Sequence, residues 1–416
     1  LLKHNIDPAE STNLKQRHTM PHTTLTPFTP IYPEEKFQHP LSRRHLLGAL
    51  AALPAVFHTP THAQEAGTIK IAQSTALTGP LADLGQPLNQ GAKVCFAAIN
   101  ARGGINGRQI ELTVADDGYD VRRSLSNVKG FLADSSYLAI FNCLGTPMIE
   151  AMLPSVIESG IPFFAPLSGA LLARPKGVRN IFNIRASYAD ETEYLVRHLS
   201  TIGIKRVAIV YQNNTFGKDF SNAAQKYIAQ YKLVETVTAT VESDSTNAQA
   251  AAVKLADSNP EAILMGLGGK PTIEFTKALR QLRKTMPVYA LSVMGASATL
   301  KAMGGDAAGM TISQVMPLPS NNTVPLVREF QHVWKASGSA LEPSHLALEG
   351  YVNARVFAEI LRRAGRNVTR STFIEAAWNL KRYDLGGFEV SFNEGAPNAS
   401  RFVEITMVGR DGRLIH

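Results

Sequence analysis

From Thr68 onward the chain alternates short runs of β-branched and apolar residues with longer amphipathic stretches, and few folds can accommodate that rhythm. Residues 68–72, 109–114 and 137–142 read as strands, and residues 86–101, 122–133 and 149–158 as helices. Strands joined by helical crossovers of a dozen residues or more must pair in parallel, and the helices then cover both faces of the sheet. A second series has strands at 206–211, 262–267 and 288–291 and helices at 218–230 and 272–283. Between the two, Arg179 to Arg185 reads as an extended passage from one unit to the next. After residues 310–315 the helices expected at 324–337, 347–364 and 372–380 have no strands between them, so they should return to complete the first unit. The expectation is an α/β chain of two doubly wound parallel-sheet lobes with a cleft between them. Ligands of such sheets sit beyond the carboxyl ends of the strands, and hinge closure between two such edges can enclose one.

The 416 residues are 44% hydrophobic and 18% charged, enough to bury a large core. Residues 1–63 carry six basic and four acidic residues, which leaves +6 of the net +8 on the remainder. That is a mild bias towards anionic ligands or surfaces. No basic run interleaved with aromatics offers a nucleic-acid groove. Cys95 and Cys143 form no C-x-x-C and no Cys/His cluster, so neither a structural zinc nor a thioredoxin-like centre is expected. They read most simply as two separate buried thiols, with a disulfide as the alternative.

Residues 1–63 read as a leader. Residues 1–40 are rich in Thr, Pro and His without periodicity, and Met20 is a candidate start. Ser42-Arg43-Arg44-His45-Leu46-Leu47, the apolar run to Phe57 and Thr61-His62-Ala63 before Gln64 follow the order of a signal peptide. The run is shorter than the ~20 residues that span a bilayer. Its paired arginines resemble a twin-arginine signal, so a periplasmic protein beginning near Gln64 is expected.

Ala76-Leu77-Thr78-Gly79-Pro80, Ile99-Asn100-Ala101-Arg102-Gly103-Gly104-Ile105-Asn106-Gly107, Gly160-Ile161-Pro162 and Phe216-Gly217 resemble the periplasmic leucine/isoleucine/valine-type solute-binding proteins of ABC importers, in consistent order over residues 68 to 416. The resemblance implies a type I periplasmic-binding fold with three crossings, near residues 185, 315 and 390. Residues 64–185 with 316–390 would then form the N-terminal lobe, and 186–315 with 391–416 the C-terminal lobe. It also implies a small carboxylate or amino acid as ligand, an inner-membrane ABC permease as partner, a monomer and no cofactor.

Thr146-Pro147 after the strand at 137–142 reads as a helix start, with Thr146 as the cap and Pro147 at the first helical position. The resemblance places the Thr146 hydroxyl where relatives hold a ligand carboxylate, and Leu167, Ser168 and Gly169 in the loop that holds the rest of the amino-acid head group. Gly169 stands where a hydroxyl residue is common. Leu84 and Phe216 match positions that are often tyrosine, and are otherwise ordinary core. Tyr119, Tyr188, Asp190 and Gly268 are further candidates for the cleft wall, with a surface or turn role as the bland alternative. Val293 stands near the acidic residue that pairs with the ligand ammonium in amino-acid receptors. A buried ammonium without a counter-charge is costly, so the pattern favours a carboxylate ligand without an α-amine, unless Asp190 or Glu191 supplies the charge.

Enzyme motifs fail on inspection. The third glycine of G-x-G-x-x-G would fall on Pro271, and there is no Walker A lysine, nucleophile elbow or H-E-x-x-H. Asp116 and Asp117 are adjacent on a strand, so their side chains diverge. The expected function is a periplasmic solute receptor; a ligand-sensing module for a signalling partner is the alternative.

Overall fold

The computed structural model describes residues 67–415 apart from 284, 394, 395 and 397. The leader and the expected mature start near Gln64 lie outside the described residues.

The first sheet collects β1 (Ile69–Thr75), β2 (Ile110–Asp116), β3 (Tyr137–Phe141), β4 (Phe163–Phe164) and β5 (Ile181–Phe182) in the parallel order β2-β1-β3-β4-β5. Its crossovers are α1 (Ala82–Asn100), α2 (Val121–Ala133) and α3 (Thr146–Ser159). The segment 179–185 is therefore not a plain passage: Ile181 and Phe182 pair with Phe163 and Phe164 as the edge strand, which buries two apolar side chains before the chain leaves.

The second sheet is built from β6 (Arg206–Gln212), β7 (Val234–Val241), β8 (Ala262–Gly266), β9 (Val288–Ala290) and β10 (Thr311–Gln314). Around it pack α4 (Tyr188–Thr201), α5 (Thr215–Gln230), α6 (Ala248–Asp257), α7 (Lys270–Leu282) and α8 (Ser297–Met303). The chain then returns through α9 (Pro325–Ala336), α10 (His345–Ala364), α11 (Arg370–Trp378) and the short hairpin of β11 (Tyr383–Asp384) and β12 (Glu389–Val390). It ends with β13 (Glu404–Val408) and β14 (Leu414–Ile415), which add antiparallel to the second sheet. That sheet has the order β14-β13-β10-β9-β8-β6-β7.

Helices α9–α11 share one core with β1, α1 and Phe141, Phe164 and Phe182 of β3, β4 and β5. The docking of α10 on α1 depends on two glycines: a Cβ at Gly91 would lie 1.9 Å from the Ala347 carbonyl oxygen, and one at Gly350 2.0 Å from that of Leu88. Such approach is open only to residues without a side chain. Cys95 belongs to this core, whereas Cys143 packs on the opposite face of the sheet with α3. Both thiols are free and buried, and burial pushes each up to about 12.

The two parallel cores have the same winding. In each, the second strand lies on one side of the first and the third on the other, so the order reverses between β1 and β3 and again between β6 and β8. These reversals open crevices at the carboxyl ends of the strands.

Candidate functional site

Both crevices face one cavity. Its first wall consists of Leu81 and Leu84 after β1, Tyr119 after β2, Leu144, Gly145 and Thr146 after β3, and Leu167 after β4. Its second wall consists of Tyr188 at the start of α4, Gln212 and Phe216 around the end of β6, Gly268 after β8 and Val293 after β9. The remaining space is about 30 Å³, room for about one water molecule and far below the ~300–1,000 Å³ of sites that hold organic ligands. Admission of a ligand thus requires the walls to separate. They are held together by apolar packing of Leu81, Leu84, Leu144 and Leu167 against Tyr188, Phe216 and Val293. Two hydrogen bonds add to it: Thr299 Oγ1 donates to Asp83 Oδ2 at 2.7 Å, and the Leu171 amide donates to Asp219 Oδ1 at 3.1 Å. Burial raises the pKa of both aspartates.

Thr146 does not cap its helix. Gly145 precedes α3, Thr146 is its first residue and Pro147 its second, with no side-chain cap bond. Gly145 has φ +100°, which swings the chain so that the Thr146 hydroxyl turns away from the helix amides and meets Ser168 Oγ at 2.8 Å. Ser168 Oγ also accepts from the Ala170 amide at 3.1 Å. The hydroxyl pair is therefore anchored at its Ser168 end, and the Thr146 hydroxyl also faces the Tyr188 phenol. Burial pushes the Tyr188 phenol upward, against the pull of Arg185, the Gly169 backbone and the Thr146 hydroxyl. Burial likewise raises Tyr119, so both phenols are neutral.

Eight of the residues read from the sequence, Leu84, Tyr119, Thr146, Leu167, Tyr188, Phe216, Gly268 and Val293, meet at this cavity. Ser168, Gly169 and Asp190 do not line it. Ser168 stands behind Thr146. Gly169 gives its place to Tyr188, since a Cβ there would lie 2.4 Å from the Tyr188 ring, which explains why no hydroxyl residue stands at that position. Asp190 forms a capping box with Ser187 and an ion pair with Arg401 at 2.9 Å. Leu81, Leu144, Gly145 and Gln212 escaped the sequence reading. Gln212 is the last residue of a buried strand and carries the signal that should have found it; its Oε1 accepts from the Gly268 amide and its Nε2 donates to Ser243.

No lining residue is charged. Glu191, the other candidate counter-charge, lies outside the cavity as well. Its carboxylate is fully buried, 3.5 Å from Arg185, and accepts from the Ser292 amide at 2.8 Å and Ser313 Oγ at 2.6 Å. Arg185 also reaches Glu349 on α10 at 3.5 Å and bonds Ser292 Oγ. This ionic cluster ties the passage between the sheets to both of them, and Arg185 lies 6.0 Å from the centre of the Tyr188 ring.

The comparisons with known proteins follow the same outline. Residues 68–413 match the family model described as periplasmic binding protein. The chain belongs to the periplasmic binding protein family. Among curated relatives, Leu/Ile/Val-binding protein homolog 7 of Brucella abortus (strain 2308) is 21% identical over 89% of this chain and 96% of its own length. The match to Leu/Ile/Val-binding protein homolog 3 of Brucella melitensis is 23% identical and spans 54% of that protein. A substrate-binding periplasmic protein of Ralstonia solanacearum superposes with a TM-score of 0.76 at 30% identity, over 83% of this chain and 99% of its own. The fold is shared with a branched-chain amino acid ABC transporter protein of Thermus thermophilus solved with bound valine (TM-score 0.76, 19% identity, 84% and 94% covered). It is also shared with a fatty acid ABC transporter substrate-binding protein of Thermomonospora curvata (0.76, 21%, 84% and 91%). As a periplasmic binding protein the chain is a solute receptor, not an enzyme. No helix among the described residues is long and apolar enough to cross a membrane.

Proposed function

We propose that this periplasmic binding protein is the receptor of an ABC uptake system for a small carboxylate with an apolar body and no α-ammonium. The two lobes, residues 64–185 with 316–390 and 186–315 with 391–416, open to admit the acid and close over it, and the closed monomer then docks on an inner-membrane permease. The twin-arginine leader would deliver the protein to the periplasm.

The observation that carries this reading is a cavity with hydroxyl donors and no charged side chain. The Thr146–Ser168 pair, the Tyr119 and Tyr188 phenols and the start of α3 favour an anion. Leu81, Leu84, Leu144, Leu167, Phe216 and Val293 suit an aliphatic or aromatic body. An ammonium would meet Val293 where amino-acid receptors present a carboxylate, with Glu191 engaged by Arg185 and Asp190 by Ser187 and Arg401. Relatives of this fold are described as binding valine and as serving fatty acids, so the fold itself is compatible with ligands with and without the amine.

A thermal-shift screen of the purified protein against amino acids, aliphatic acids and aromatic acids tests the proposal. A ligand at 100 times its Kd stabilises by ~2.7 kcal/mol. Shifts with aliphatic or aromatic acids are expected; strong shifts confined to ordinary α-amino acids would overturn the reading.

A further inference from the structure

Directly behind the hydroxyl pair lies a cation without a carboxylate partner. Arg174 is 9% exposed, and its guanidinium is met by carbonyl oxygens only: Nη1 donates to Ser168 O and Ala170 O, each at 2.9 Å, and Nη2 to Arg185 O at 3.1 Å. No carboxylate among the described residues lies within ion-pair distance of it. Asp190, Asp219 and Glu349 act on it only at longer range, and all three are engaged elsewhere, Asp190 by Ser187 and Arg401, Asp219 by the Leu171 amide and Glu349 by Arg185. Burial, with Arg185 adding to it, lowers Arg174 to about 10, so it stays protonated at neutral pH.

Two consequences follow for the loop. The carbonyl of Ser168 is turned towards Arg174, so in a trans peptide the Gly169 N–H points the opposite way, towards the Tyr188 phenol. The Gly169 carbonyl is held in turn by the Tyr188 amide at 2.8 Å. All three carbonyls from Ser168 to Ala170 are thus fixed, and the hydroxyl of Ser168 is presented to Thr146 from a loop that cannot swing. A buried positive charge that lacks a contacting counter-ion is stabilised by an anion placed nearby in the same low-dielectric region. The Thr146 hydroxyl is where such an anion would be received.

We infer that Arg174 is the positioning residue that makes this site selective for a charged carboxylate over a neutral group of the same shape, by fixing the Ser168–Ala170 loop and supplying the positive charge behind it. The inference rests on the carboxylate reading above. It assigns Arg174 no ligand contact.

The test is calorimetric titration of the purified protein with 4-methylpentanoate and phenylacetate, each against its primary amide. Wild-type protein should prefer the acid. In Arg174→Gln, which removes both the charge and the bridge to three carbonyls, both ligands should weaken, the acid at least tenfold more than the amide. In Arg174→Lys, which keeps the charge but cannot bridge three carbonyls, both should weaken while the preference for the acid persists. Equal losses for acid and amide in Arg174→Gln, or no loss in either, would overturn the role of the charge. Should Arg174→Gln fail to fold, a lost preference in Arg174→Lys overturns it too, and unchanged affinities in that variant overturn the positioning role. Wild-type protein that ignores the acids and binds leucine instead refutes the carboxylate reading itself, a result distinct from any of these.

Discussion

The cavity and the ionic cluster behind it are both buried, yet they are built from opposite materials. Twelve residues line the cavity and none is charged; Arg174, Arg185, Glu191 and Glu349, none of which lines it, are all buried. A buried ion pair is held by its partners and hydrogen bonds and is weak support for stability on its own. What it fixes here is position: Glu191 joins α4 to Ser292 and Ser313 of the second sheet, while Arg185 joins it to α10 beside the first. The Glu191 carboxylate is thereby engaged away from the cavity. On the proposed reading, selectivity against an ammonium comes as much from where Glu191 is committed as from the presence of Val293.

That division can be broken most forcefully at Glu191. Replacement by Ala leaves Arg185 with Glu349 as its one carboxylate partner and strands the Ser292 amide, so stability should fall by about 3–5 kcal/mol, read by urea unfolding; an unchanged midpoint would mean that the cluster does not hold α4, α10 and the second sheet together. Next in size is Val293→Asp, which places a carboxylate in the uncharged cavity while Glu191 keeps its partners. Acid affinity should drop at least tenfold, ~1.4 kcal/mol, and binding of leucine should appear or improve, both by calorimetry. Thr146→Ala removes one hydroxyl of the pair and should raise Kd for an acid about fivefold, ~1 kcal/mol, with little change in melting temperature because Thr146 is not a cap. Equal affinity would reduce it to a wall residue.

The smallest effect concerns the loop that starts the cavity's first wall. Asp116 accepts from Thr78 Oγ1 and from the amides of Leu77, Thr78 and Gly118, and these bonds, the Thr78 hydroxyl foremost, lower its pKa from 3.8 to about 2. A lowered folded pKa gives stability that is present above the unfolded value and is lost as pH falls through about 2. Wild-type protein should therefore lose stability below pH ~4 more steeply than Asp116→Asn; parallel acid curves would contradict the assignment.

Much of the fold was legible because parallel strands and their crossover helices leave a strong rhythm, and the strand ends locate a cleft wall. Thr146 and Leu167 follow such strands, whereas Phe216 was singled out by the resemblance alone. The edge strand β7 and helix α6 were missed because Thr-rich Val234–Val241 is half-exposed and alanine-rich Ala248–Asp257 has little amphipathic contrast. Within the site, the errors came from competing local chemistry. Asp190 looked like a wall residue, but Ser187 three residues earlier claims it for a capping box. Thr146 looked like a cap until the left-handed Gly145 redirected it to Ser168. Arg174 carries no pattern at all in sequence; only the packing of residues 168–185 reveals that its partners are carbonyls.

The central claim is that the pocket receives a carboxylate and has nothing to hold an α-ammonium. Leucine and 4-methylpentanoate differ by that amine alone, and calorimetric titration of both into the same purified protein tests it most directly. Binding of 4-methylpentanoate at least tenfold tighter than leucine is the predicted result; leucine binding as tightly as the acid, or more tightly, would contradict it.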